Sequence, residues 1–182
     1  MMSKKILMLL TNGTEEVEAL MARDVLLRAG LEVDLMNIDN ETEIVSSHQV
    51  LLKVLPYSNE FDKYDALMIP GGKRGVINID NSSAIDEILD HFINHHKLIG
   101  AICAAPSILG KRGYLENKKY TCYPGWEKEE YGIYTGKEVE KDVHLITGRS
   151  VNYTSKYALE IINHFLGPKE KKRIQDQING IK

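Results

Sequence analysis

Cysteine is nearly missing from this chain: only Cys103 and Cys122 occur in 182 residues of otherwise ordinary globular sequence. Two thiols do not make the disulfide framework of a small secreted domain, and a reducing cytoplasmic setting fits them better. Neither belongs to a CxxC pair, and no pair of histidines stands at ligand spacing around either one, so no metal is assigned. Long apolar runs are also missing. The opening MMSKKILMLL is basic and then apolar, but Thr11, Asn12 and Gly13 end it early. No later run reaches the roughly 18 residues that a membrane span needs. The opening is read as a first strand of a soluble protein, with no membrane partner. Nor is positive charge in excess: 23 Lys and Arg against 26 Asp and Glu leave a formal charge of -3, with the signs interspersed. That excludes the broad basic field that dominates nucleic-acid affinity, and leaves small molecules or proteins as partners.

What is present has the size and balance of one compact domain, 43% hydrophobic and 27% charged. Lys5–Leu10 is an apolar strand. Over 15–29, Val17, Leu20, Met21, Asp24 and Val25 recur at helical spacing, with Thr14 as the expected cap and Gly30 as the stop. Further strands are expected at 32–38, 65–69, 98–102, 120–123 and 143–147, and a hairpin within 41–55 has Ser46–His48 near its turn. Ser82 or Ser83 can cap a helix running to about His96 with Ile85, Ile88, Leu89, Phe92 and Ile93 inward, and helices are expected at 104–112 and 152–166. Strands alternating with helices in this way predict a doubly wound, mostly parallel sheet covered on both faces, with antiparallel additions at an edge. Residues 1–167 form that single domain, and the Lys- and Glu-rich 168–182 a peripheral helix or tail.

In open α/β sheets, sites form where loops leave the C-terminal ends of the strands. Three such loops have unusual composition: 11–18, 70–75 and 100–106. In Leu98-Ile-Gly-Ala-Ile-Cys-Ala-Ala-Pro106 small residues crowd Cys103 on both sides, the steric condition for a nucleophile elbow, and Pro106 fits a first helical turn. A thiol at a helix start is expected to favour its thiolate. A small buried structural cysteine is the plain alternative. Gly71 and Gly72 after Pro70 let backbone N–H groups approach a bound oxygen, as an oxyanion hole or simply a tight turn. Glu15 and Glu16 suit the start of a helix. Glu18 instead shares a stripe with Ala22, Val25 and Ala29, so burial would raise its pKa and let it pass a proton to a thiolate. Among six histidines, His48 near the hairpin turn stands out.

Taken together, EEVEAL at 15–20, IPGG at 69–72, AICAAP at 101–106 and TCYPG at 121–125 resemble the ThiJ/PfpI superfamily, in its DJ-1-like branch, from residue 1 to about 167. The resemblance implies a flavodoxin-like α/β sandwich, class I glutamine amidotransferase-like, and a homodimer. It also implies a nucleophilic, oxidation-prone Cys103, a protonated Glu18 beside it, and oxyanion contacts from the Gly72 and Ala104 amides, with no cofactor. Relatives are described as glutathione-independent glyoxalases, protein deglycases, redox-responsive chaperones and, in the PfpI branch, peptidases. Two departures weaken the peptidase reading: Tyr123 stands where many relatives have a His, and Ala104 where the PfpI type has one. Without a base beside the thiol, amide cleavage lacks a proton carrier for its leaving amine. His48 and Arg149 match positions where relatives place basic residues at the pocket.

The first expectation is therefore an enzyme acting on a small reactive carbonyl or a glycated protein through Cys103 and Glu18. The alternative is a stress sensor or chaperone working through Cys103 oxidation. A flavin protein is a weaker third, since the turn in LLTNGTEE is similar to a flavodoxin phosphate loop but the aromatic pair expected around a flavin ring is not evident.

Overall fold

The computed structural model describes residues 3–181. In chain order the elements are β1 (Lys5–Leu10), α1 (Glu16–Arg28), β2 (Glu32–Asn37), β3 (Glu43–Val45), β4 (Leu51–Lys53), β5 (Ala66–Ile69), α2 (Lys73–Asn81) and α3 (Ile85–Asn94). They continue with β6 (Leu98–Ile102), α4 (Pro106–Lys111), β7 (Lys119–Tyr120), β8 (Ile133–Tyr134), β9 (Val139–Asp142), β10 (Leu145–Gly148) and α5 (Thr154–Ile178), with short 3-10 turns at Phe61–Lys63 and Val151–Tyr153.

Six strands form the central sheet in the order β2-β1-β5-β6-β10-β9, parallel except for the antiparallel edge strand β9. Successive side chains of a strand point to opposite faces, and here each face has its own core. Leu7, Leu9, Leu67, Ile69 and Ile99 pack with residues of α2, α3 and α4. Ile6, Met8, Leu10, Met68 and Ile102 pack with α1 and α5. Burial on both faces explains why the strands read as continuous apolar runs rather than alternating ones. The fold is thus the expected mostly parallel sheet between helices. No helix among the described residues is long and apolar enough to cross a membrane.

The structure corrects several local expectations. On α1 the inward residues are Glu18, Ala19, Ala22, Val25 and Leu26, while Val17, Leu20 and Met21 are exposed. Where α1 packs against α5, Ala19 and Ala22 join Val25 and Leu26 on the buried side, and Val17, Leu20 and Met21 form an outer stripe. Thr14 does not cap the helix: its hydroxyl bonds the Thr11 carbonyl at 2.9 Å, and Glu15 takes the cap position without a side-chain bond. Helix α2 and strand β9 were not expected, and β7 stops at Tyr120, although Thr121 and Cys122 remain buried. The hairpin β3–β4 stands apart as its own two-stranded sheet. The last helix begins at Thr154, breaks at Gly167 (φ 83°) and runs on to Ile178, with Ile174 buried in the α1–α5 core.

One close approach in that core is testable. Tyr157 is fully buried, and its hydroxyl occupies the space that a side chain at Gly100 would need, with no hydrogen-bond partner. Gly100→Ala should cost about 1–3 kcal/mol by overpacking. Adding Tyr157→Phe should recover most of the loss in urea denaturation. Strictly additive losses would show that the hydroxyl is not what fills the space.

Candidate active site

Cys103 follows β6 directly and takes φ 62°, the left-handed region that side chains usually avoid. Such a conformation costs about 1–3 kcal/mol and persists only when its surroundings hold it. Both of its backbone groups are held: its N–H donates to the Gly148 carbonyl at 2.9 Å, and its carbonyl accepts the Tyr123 N–H at 2.8 Å. Pro106 then opens α4 at its first position. The elbow read from the small residues is present.

The loop after β5 supplies the other wall. A Cβ on Gly71 would lie 2.6 Å from both Cys103 Cβ and Glu18 Oε2, and 3.1 Å from Cys103 Sγ. Only a bare backbone lets the three groups meet. The Gly71 N–H donates to Glu18 Oε2 at 2.7 Å, so that amide serves the carboxyl. The amides of Ala104 and Gly72 oppose the rise of the Cys103 pKa.

Glu18 is 1% exposed, and its Oε1 has no partner that meets hydrogen-bond geometry. Burial pushes its pKa up to about 7, against the opposing bonds from the Gly71 amide and Cys103, with Glu15 adding to the rise. For Cys103 the helix-start expectation needs correction. Burial raises the thiol above its ordinary value and ionised Glu18 raises it further, while the two amides oppose; α4, with six residues, is a short helix. The two groups repel each other's charge and titrate as a pair. The thiolate is therefore favoured when the carboxyl holds the proton.

The remaining expected residues lie elsewhere or contribute differently. Tyr123 approaches through its backbone, and its side chain is half exposed. His48 sits on the β3–β4 turn over the start of α1, its Nδ1 2.8 Å from Glu16 Oε1 and 3.1 Å from Ser47 Oγ. Burial works against the charge of Glu16, but bonds from its own amide, Ser46, Ser47 and the His48 amide outweigh it and hold the carboxyl at about 2. His48 is thus engaged by a carboxylate. Arg149 is likewise committed, donating to the Gly136 carbonyl at 2.9 Å and to the Tyr153 hydroxyl, with its guanidinium 4.7 Å from the Tyr153 ring centre. Among the described residues neither has a hydrogen bond to Cys103 or Glu18. Cys122 is fully buried and pushed up to about 12, by burial first and Glu127 second.

One cysteine on a left-handed turn, facing a carboxyl that burial inclines to keep its proton, defines the class of α/β proteins with a cysteine elbow. Comparison with known proteins narrows the class. The model of the DJ-1/PfpI family matches residues 4–164. Protein dj-1beta of Drosophila melanogaster is 33% identical over 187 residues, covering 99% of this chain and 97% of that protein. The crystal structure of Drosophila melanogaster DJ-1beta superposes with a TM-score of 0.90 at 31% identity over the whole of both chains. Toxoplasma gondii DJ-1, solved in an oxidised form, gives 0.88 at 26% identity, covering 97% of this chain and 98% of that one. The chain belongs to the DJ-1/PfpI family, which includes glyoxalase, deglycase and chaperone members.

Proposed function

We infer that this protein is a cysteine-dependent enzyme acting on small reactive carbonyls, a glutathione-independent glyoxalase or a deglycase. The observation that carries the reading is the meeting of Cys103, Glu18 and Gly71 at the end of β6. With the proton on Glu18, the Cys103 thiolate adds to an aldehyde carbon to give a hemithioacetal. The oxygen gathers charge toward the Gly72 and Ala104 amides and accepts the Glu18 proton. The Glu18 carboxylate then takes the proton from the former aldehyde carbon to leave an enediolate, and returns it to the neighbouring carbon while the hydroxyl proton on the first oxygen passes to the second. A 2-hydroxy thioester results, and water cleaves it to the hydroxy acid and the free thiol. The mostly apolar setting of Glu18 suits a group that must both give and accept a proton near neutral pH. The exposed stripe of Val17, Leu20 and Met21 on α1 supports the homodimer. Methylglyoxal supplied without glutathione should be converted to lactate, followed by proton NMR. A folded protein that forms no lactate and removes no early glycation adduct from a peptide would sink the reading.

One observation favours a second role: Cys103 is partly exposed and Cys122 fully buried, and the Toxoplasma gondii relative is known in an oxidised form. As an oxidative-stress sensor the chain would take up oxygen at Cys103 first. After mild peroxide treatment, mass spectrometry should find Cys103 as the sulfinic acid and Cys122 unchanged. Equal oxidation of the two would exclude a specialised sensor.

A further inference from the structure

At the other end of β6 from Cys103, three ligand-type side chains meet. The five residues of β6 hold the two places roughly 16 Å apart. His91 and His95 stand at the i,i+4 spacing that puts both on one side of the helix, and their rings stack with centroids 4.3 Å apart and planes 29° from parallel. Asp62 reaches them from the 3-10 turn at Phe61–Lys63, its Oδ1 3.6 Å from His91 Nε2. One donor atom from each of the three lies within 4.8 Å of the others.

The orientation of the rings says more than their proximity. His95 Nδ1 is 2.8 Å from the His91 carbonyl oxygen, which can only accept, so Nδ1 carries the proton and Nε2 keeps its lone pair. A ring N–H given to a backbone carbonyl is the outer support that metal-binding histidines usually have. His91 Nε2 lies 3.2 Å from Lys97 Nζ, which can only donate, so this nitrogen carries a lone pair rather than a proton, at present engaged by the ammonium. The Lys97 ammonium is drawn as well to the carbonyls of Phe61 and Asp62, at 3.1 and 3.3 Å. A cation is thus already held beside the imidazole.

We propose that Asp62, His91 and His95 form a binding site for a divalent transition ion, zinc foremost, with two imidazole nitrogens and one carboxylate as ligands and water completing the coordination. Nitrogen and carboxylate donors in this ratio suit zinc. Bonds of about 2 Å require the donors to draw closer; Asp62, whose side chain is 92% exposed on a short turn, has room to make that movement. Lys97 must swing away from His91, so its ammonium is the competitor that sets the affinity. The bound ion would fasten the 61–63 turn to α3, where Phe61 already packs against His91 and Phe92. The other cluster, Glu15, Glu16 and His48, is a weaker candidate because Ser47 bonds both carboxylates and Glu16 engages His48.

The test is calorimetric titration with zinc sulfate of the full chain carrying Cys103→Ala, which removes the partly exposed thiol as a rival ligand. One ion per chain is expected. His95→Ala removes an exposed side chain and leaves the core intact; it should weaken binding at least tenfold, the least that loss of even an outer partner costs, about 10–100-fold. Lys97→Met should tighten binding, and His48→Ala should leave it unchanged. Absence of binding, binding indifferent to His95→Ala, no gain from Lys97→Met, or loss in His48→Ala would each overturn the site.

Discussion

Cys103→Ser is expected to lower conversion of methylglyoxal by more than about 10³-fold, as loss of a nucleophile does elsewhere, while the folding transition stays in place. Serine preserves the size of the side chain, and the backbone bonds to Gly148 and Tyr123 do not involve the sulfur. What changes is acidity and nucleophilicity: a hydroxyl beside Glu18 does not ionise near neutral pH, and no strong base stands by to activate it. The substitution therefore separates chemistry from architecture. Unimpaired lactate formation in the Ser variant would place the reaction at another residue.

Glu18→Gln should have two large effects of different kind. The folded carboxyl sits at about 7 against an ordinary 4.5, so between those values the native state binds more protons than the unfolded chain. Stability then falls as pH rises through that window. For the wild type the loss should approach about 3 kcal/mol by pH 8, and Gln, which cannot ionise and can still accept the Gly71 N–H, should abolish it. Denaturant midpoints measured from pH 4 to 8 check this, and parallel slopes for the two proteins would show that Glu18 is not buried as a neutral acid. Turnover should drop by about 10²–10⁴-fold with the proton carrier gone. Alkylation of Cys103, which should rise with pH in two steps when two groups share a proton, should rise in one. Unchanged alkylation kinetics would separate the two residues.

The strands and the elbow were legible because their signals are steric and local. A run such as Leu98–Ile102 is apolar throughout because both of its faces are buried, and Ala101, Ala104 and Ala105 beside Cys103 are all buried against the turn. The inner face of α1 was legible only in part. Counting large apolar residues favours Val17, Leu20 and Met21, whereas contact with α5 and with the site demands Ala19, Ala22 and Glu18. The outer stripe is the one that stands out in sequence. Helix α2 was hidden for another reason: it starts straight after Pro70-Gly71-Gly72, which reads as a stop, and Lys73–Asn81 contains Gly75 and two asparagines with only Val76 and Ile79 as large buried residues. In the candidate site, the stripe that Glu18 shares with Ala22 raised burial of the carboxyl as a condition, and Glu18 is buried. That the Gly71 amide would go to Glu18 depends on distances that no spacing in the sequence records.

The two backbone bonds that hold Cys103 have a consequence for every state its sulfur can adopt. Because β10 grips the N–H and the Tyr123 amide grips the carbonyl, neither of the bonds that hold the turn involves the sulfur, so conversion of the thiol to thiolate, covalent adduct or sulfinic acid breaks neither of them. The turn can therefore keep its shape while the sulfur changes state, and the sulfinic acid, once formed, would leave a lasting negative charge on an unaltered backbone.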